Sequence, residues 1–320
     1  MRQTPPAEWA EQQALFLGYP SHADLWQEDL EPARAEVAAL ATQLAHSVAV
    51  KLLVCGDDAA RAATAAIGDK ARIIDLPFGD IWLRDTGPIF LSADQAVHFR
   101  FNGWGGKYQL AGDTTIGAAM ARHIGAHACA VDSILEGGAI EYNGAGLLLT
   151  TEQCLLNPNR NPGWTRAEAE RILADALGIR RIVWLGDGLL NDHTDGHIDN
   201  LARFVDAQTV AVPESWTEDD PNTAVFEDAA QRIRTAGLDM VRIPSVGPFE
   251  QDGKLVPATH MNWIIANGQL VVPLYGTASD APALQAIARA FPRHRVTGLP
   301  SSHILTGGGS FHCITQQVPA

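Results

Sequence analysis

Stretches of helical periodicity alternate with short apolar runs from one end of the chain to the other, and this alternation is the tightest constraint on its fold. The pattern predicts helices over residues 32–47, 59–67, 114–123, 166–177, 223–235 and 281–290, and strands over 48–54, 73–76, 146–150, 181–185, 209–212 and 269–273. The fourth helix has a defined start and stop: Thr165 with Glu168 three residues on forms a capping box, and Gly178 ends the run. Helices and strands interleaved over the whole length define an α/β class. No low-complexity segment and no Gly-, Ser- or Pro-rich linker interrupts them, so residues 1–320 are expected to form a single domain.

Polar clusters punctuate this framework. Asp85, Glu136, His197 and Cys313 stand 51, 61 and 116 residues apart, the last gap close to twice the mean of the other two. Such spacing suits a radial fold of about five modules, each offering one loop to a common axis.

The densest cluster is Leu305-Thr306-Gly307-Gly308-Gly309-Ser310-Phe311-His312-Cys313. Glycines such as Gly308 let backbone amides approach a ligand, and a thiol presented after them is reachable as a nucleophile. A second cluster, Asn191-Asp192-His193-Thr194-Asp195-Gly196-His197-Ile198-Asp199-Asn200, crowds histidines among aspartates. If extended, it would point His193, Asp195, His197 and Asp199 to one face. That set suits general acid–base work, or alternatively a metal site. Glu136-Gly137-Gly138 adds a carboxylate beside a glycine pair. In Trp82-Leu83-Arg84-Asp85, Asp85 can grip a planar cation by paired hydrogen bonds while Trp82 packs on it. Phe101-Asn102-Gly103-Trp104 offers Trp104 as a further aromatic wall.

A net charge of −14 argues against nucleic acid and is compatible with a cationic substrate. No run of 18 or more apolar residues is present and the first residues do not read as a secretory signal, so the expectation is a cytoplasmic enzyme that does not span a membrane. The four cysteines have no CxxC spacing and are expected as reduced thiols. Cys55, Cys129 and Cys154 sit in apolar settings and read as small buried hydrophobes. No patch specifies an assembly, and a homodimer is compatible with the chain.

Taken together, these motifs resemble the agmatine deiminase branch of the guanidine-modifying superfamily, with bacterial-type peptidylarginine deiminases as close cousins. The resemblance runs from Pro6-Ala7-Glu8-Trp9 through Trp82 to Pro88, Phe101 to Gly106, Glu136 to Gly138, Thr151 to Pro162 and Thr194 to Asp199, and ends at Gly307 to Gln317. It implies a five-bladed α/β-propeller (pentein) with pseudo-fivefold symmetry and the active site on the central axis. The module near residue 255 would be the one contributing no catalytic side chain. It implies Cys313 as nucleophile, His197 as general acid and base, Glu136 as the partner orienting His197, and Asp85 with Asp199 as the carboxylates gripping the guanidinium. No metal and no cofactor are implied. The expected reaction converts agmatine and water to N-carbamoylputrescine and ammonia through a covalent amidino-thioether.

Three departures from the family pattern bear on the substrate's tail. These are Pro257-Ala258-Thr259-His260-Met261-Asn262-Trp263, the opening Gln12 to Pro20, and His193, where relatives carry Glu. Asp192 or Asp195 would then serve a distal ammonium. The alternatives are a peptidyl-arginine or other alkylguanidine deiminase, a metal-dependent hydrolase built on His193, Asp195, His197 and Asp199, and a catalytically inactive binding protein.

Overall fold

The computed structural model describes residues 3–320 and builds the chain from one repeated unit. In this unit a short strand runs antiparallel to a central strand, and a helix then crosses over to a third strand parallel to the centre. β4 (Ile89–Phe90), β5 (Gln95–Arg100) and β6 (His127–Ile134) form one such sheet, with helix Asp113–Ile124 as the crossover. β7 (Glu141–Tyr142), β8 (Leu147–Thr151) and β9 (Arg181–Leu185) form the next, crossed by Arg166–Leu177. β10 (Arg203–Phe204), β11 (Thr209–Glu214) and β12 (Asp239–Pro244) follow, crossed by Thr223–Thr235. After the hairpin of β13 (Glu250–Gln251) and β14 (Lys254–Leu255) come β15 (Ile264–Ala266), β16 (Gln269–Leu274) and β17 (Arg295–Pro300), crossed by Asp280–Ala290. The helices are needed because parallel neighbours require a crossover long enough to return the chain to the same sheet edge.

The remaining sheet joins the two ends of the chain. β1 (Gln12–Gly18), β2 (Ala49–Val54) and β3 (Arg72–Asp75) run parallel, linked by Leu30–Leu44 and Asp57–Ile67, while the final strand β18 (Thr315–Pro319) pairs antiparallel with β1. β18 thus takes the position held by the short first strand in the other four sheets. The α/β class read from the sequence is what the structure has. Each predicted helix and strand is present, with ends shifted by no more than two or three residues, and helix Arg166–Leu177 matches to the residue.

The central strands are buried on both faces, as in Leu147 to Thr151 and Gln269 to Val272, because helices cover one side and the neighbouring units the other. Among the described residues no helix is long and apolar enough to cross a membrane. The cysteines divide differently from the expectation: Cys154 is buried, Cys55 half-buried and Cys129 exposed on β6. The alanines around Cys129 mark a lightly packed outer strand, not a core.

Candidate active site

Each connection between successive units delivers polar side chains to one place. Asp85 sits on the helical turn Leu83–Thr86 between β3 and β4, and Glu136 precedes the turn Gly137–Ala139 between β6 and β7. His197 and Asp199 flank the start of the turn Ile198–Asn200 between β9 and β10, and Cys313 lies on the turn leading into β18. The Arg84 N–H donates to Cys313 O at 3.0 Å, tying the turn of Asp85 to that of the thiol.

Gly138 shows how tightly these groups converge. A Cβ at that position would lie 2.6 Å from His197 Nδ1, 2.8 Å from Asp85 Oδ1 and 3.1 Å from Asp199 Oδ2. Only a residue without a side chain leaves that space open. The Cys313 thiol reaches Asp199 Oδ2 at 3.6 Å, and His197 Nδ1 lies 3.7 Å from Asp85 Oδ1.

An open cavity of about 230 Å3 leads to the thiol, walled by Trp82, Asp85, Trp104, Tyr108, His193, Gly307, Gly308 and Gly309. Trp82 is fixed by its indole N–H on Asp80 Oδ2 at 2.9 Å, and Trp26 donates to the other Asp80 oxygen at 2.9 Å while stacking on Trp82. Of the three glycines only Gly308 has positive φ (103°). The other two serve close approach, since a Cβ on Gly307 or Gly309 would lie 2.6 or 2.7 Å from the Trp82 ring. Trp104 has a left-handed backbone (φ 51°, ψ 53°), which a bulky residue adopts at a cost of roughly 1–3 kcal/mol. That conformation aims its indole N–H at Asp85 Oδ2, 2.9 Å away, while the Gly138 N–H donates to Oδ1 at 2.9 Å.

Burial and crowded charge set the protonation states. Burial pushes the Asp85 carboxyl well above the usual range, and the charge of Asp199 adds to this. Burial alone would raise Asp199 too, but the His312 ring, donating at 2.7 Å, holds it below its ordinary value. Burial, then the charges of Asp199 and Asp85, push the Cys313 thiol well up. His197 is held down to about 3, chiefly by burial, and is therefore neutral at neutral pH.

Glu136 does not hydrogen-bond His197. Its Oε1 accepts from Arg160 Nε at 2.9 Å, and its Oε2 has no partner, although the carboxylate lies within 4.8 Å of a His197 ring nitrogen. Arg160 had no role assigned from the sequence; it is buried and also contacts Asp195 and Thr194 O.

Asp192 and Asp195, expected at the substrate's tail, are engaged elsewhere. Asp192 Oδ1 accepts from the Thr194 N–H and hydroxyl at 2.8 and 2.6 Å. Asp195 is held by Lys107, Asn159 and Arg160. The segment is not extended, because Asp195 and Gly196 have positive φ (64° and 87°) and turn the chain. His193 is therefore exposed at the cavity mouth against Tyr108 while His197 and Asp199 are buried, and the four residues share no face. Among the described residues, His197 comes within metal-ligand range of Glu136 and Cys154 rather than of His193, Asp195 and Asp199. The donor set of the metallohydrolase alternative is not assembled.

The other two departures, unlike His193, contribute no residue to the cavity wall. Gln12 to Gly18 is the buried strand β1, and His260 faces Pro273 O at 3.0 Å and Ser279 Oγ at 3.3 Å. The same segment nevertheless reaches the thiol: Asn262 Nδ2 donates to Cys313 Sγ at 3.1 Å. Nothing in the sequence signals this contact beyond an isolated amide next to Met261 and Trp263.

A model of the Porphyromonas-type peptidyl-arginine deiminase family matches residues 4–319. The agmatine deiminase of Stutzerimonas stutzeri is 36% identical, covering 98% of this chain and 95% of its own. A Cys-to-Ser variant of the C. jejuni agmatine deiminase with substrate bound superposes with a TM-score of 0.92 at 28% identity, over 100% of this chain and 97% of that one. The agmatine deiminase of Enterococcus faecalis gives 0.93 at 26% identity, over 99% and 96%. With a thiol and two carboxylates gathered by turns from separate units, and a family match that leaves only the extreme ends uncovered, the chain belongs to the Porphyromonas-type peptidyl-arginine deiminase family.

Proposed function

We propose that the protein hydrolyses the guanidinium group of agmatine, giving N-carbamoylputrescine and ammonia, with Cys313 as nucleophile. The observation that carries this reading is a set of buried polar atoms beside the thiol with no partner in the protein: Asp199 Oδ1, Glu136 Oε2 and both ring nitrogens of His197. Unpaired buried polar atoms are costly, and two carboxylate oxygens and an imidazole left without partners call for a ligand that brings N–H donors. An alkylguanidinium is planar, cationic and carries five of them. The names and full-length similarity of the relatives favour agmatine.

The charges explain how the thiol is activated. Burial, and then the charges of Asp199 and Asp85, keep the sulfur protonated at rest. A guanidinium bound between these carboxylates offsets that field, and the neutral His197 then accepts the thiol proton. The thiolate adds to the guanidinium carbon, forming a C–S bond. His197 returns its proton to one nitrogen, the C–N bond breaks, and ammonia leaves an S-alkylthiouronium. Water adds to the same carbon as His197 takes a proton, the C–S bond breaks, and the ureido product departs from the regenerated thiol. Glu136, with Oε2 free near the ring, orients His197 while it carries the proton. Trp82, Trp104 and the Gly308 loop flank the substrate.

The same reading takes the five repeated units as blades of an α/β-propeller in one domain over residues 1–320, with the site on its axis and the protein at work in the cytoplasm. Support comes from the five inter-unit connections, each of which sends a side chain to the site. The test is ammonia release across agmatine, arginine, peptidyl-arginine and shorter or longer alkylguanidines. Agmatine is expected to give the highest kcat/KM, and Cys313→Ala to abolish turnover in correctly folded protein. Full turnover by that variant would refute the assignment.

A further inference from the structure

We propose that Asn262 is a catalytic residue of this reaction, its side-chain N–H stabilising the Cys313 sulfur as a thiolate. The inference rests on the reading of Cys313 as nucleophile. It adds a group from the connection between β12 and β15, whose side chains the sequence had left without chemistry.

The geometry leaves no freedom in how the amide is oriented. Asn262 Oδ1 accepts the backbone N–H groups of His312 at 3.0 Å and Cys313 at 3.3 Å. An NH2 group cannot accept these bonds, so Nδ2 must point the other way. There it donates to Cys313 Sγ at 3.1 Å and to Asn200 Oδ1 at 2.9 Å. Asn200 is itself oriented, because its Nδ2 donates to Asp192 Oδ2 at 3.2 Å. A chain of hydrogen bonds thus runs from Asp192 through Asn200 and Asn262 to the sulfur, which gives Asp192 a place in the site different from substrate recognition. Asn262 is fully buried and does not line the cavity, so it touches the reacting sulfur from behind.

That placement matters because the carboxylates beside the sulfur oppose its ionisation, while besides Asn262 only a backbone hydrogen bond at Ser310 favours it. Asp199 lies 3.6 Å away and Asp85 stands across the slot; His197 is neutral, and His312 is bonded to Asp199 rather than to the sulfur. Among the described residues, Asn262 supplies the only side-chain N–H that donates to Sγ. A hydrogen bond to a charged form favours that form. The donor holds both the resting thiolate fraction and the leaving thiolate of the second half-reaction.

The test is the pH dependence of Cys313 alkylation by iodoacetamide, read by peptide mass spectrometry in wild type, Asn262→Ala and Asn262→Asp. Exposed Cys129 serves as the internal reference. Asn262→Asp keeps the acceptor for the two backbone N–H groups, so it carries the test if the alanine variant fails to fold. The Cys313 profile is expected to move up by about one pH unit, roughly a tenfold slower modification at fixed pH, and further in Asn262→Asp than in Asn262→Ala. The Cys129 profile should stay in place, and kcat should fall about tenfold with KM within about twofold. A folded variant whose Cys313 profile coincides with that of wild type overturns the proposal, as does a rise in KM at unchanged kcat. Loss of the nucleophile reading is a separate result, seen as turnover surviving Cys313→Ala whatever the alkylation profiles show.

Discussion

At the scale of single residues, Gly138 is the most exacting position in the site. Its φ is not positive, so the backbone accepts alanine, yet the added methyl would fall among His197, Asp85 and Asp199. Gly138→Ala is expected to lower kcat/KM by about 100-fold, since displacements near 1 Å cost that much in catalysis, while destabilising by only about 1–3 kcal/mol. Steady-state kinetics and a melting curve on the same sample separate the two effects. His197 makes a second residue-scale prediction. Its native pKa, near 3, is far below the 6.5 of the free side chain, so the unfolded chain takes up a proton that the folded site refuses. The stability this provides is complete above pH 6.5 and declines as pH falls toward 3, by up to about 1.4 kcal/mol per pH unit. Denaturant melts across that window should show a shallower decline in His197→Asn than in wild type. The residues gathered round the slot were legible in the sequence because each stands beside glycine or in a dense polar run. Asn262, Arg160 and His312 were not assigned roles, because their chemistry comes from partners distant in sequence: Cys313, Glu136 and Asp199. The partners of Asp192 and Asp195 were hidden for the complementary reason: a local turn and nearby cations take up carboxylates that composition alone leaves free.

At the scale of elements, legibility followed local sequence signals. Helix Arg166–Leu177 was bounded correctly because its cap is local: Thr165 Oγ1 accepts the Glu168 N–H at 3.3 Å, and Gly178 is left-handed. Thr165→Ala is expected to cost about 1 kcal/mol, the usual worth of such a cap, and leave kcat/KM unchanged. Chemical denaturation checks it, and a drop in kcat would show the helix coupled to the site. The missed strands lack that local signal. β6 reads His127-Ala128-Cys129-Ala130-Val131-Asp132-Ser133-Ile134 and is nowhere fully buried, so no apolar alternation announces it. β18 is fully buried yet carries Thr315, Gln316 and Gln317, and the amide N–H groups of the two glutamines donate to Pro88 O and the Tyr142 hydroxyl. A buried strand that carries glutamines looks polar in sequence and is central in space.

At the scale of the whole molecule, pairing of the last strand with the first is what brings the thiol to the other groups. β18 closes on β1, and Cys313 lies two residues before it. The sulfur is therefore placed by an association between residues about 300 positions apart. No periodicity within the sequence reports that distance; the spacing of the polar clusters hinted only at repeated modules. The outcome is a chain whose five inter-unit connections converge on one site, where carboxylates and one sulfur stand together.

The central claim is that this sulfur bonds to substrate carbon. The most direct measurement is acid quenching of the enzyme during agmatine turnover, followed by intact-mass and peptide mass spectrometry. The account predicts a transient adduct of the S-alkylthiouronium mass confined to the peptide carrying Cys313, which appears before product and is absent from Cys313→Ala. Rapid turnover with no adduct at any quench time, together with undiminished activity in Cys313→Ala, would contradict it.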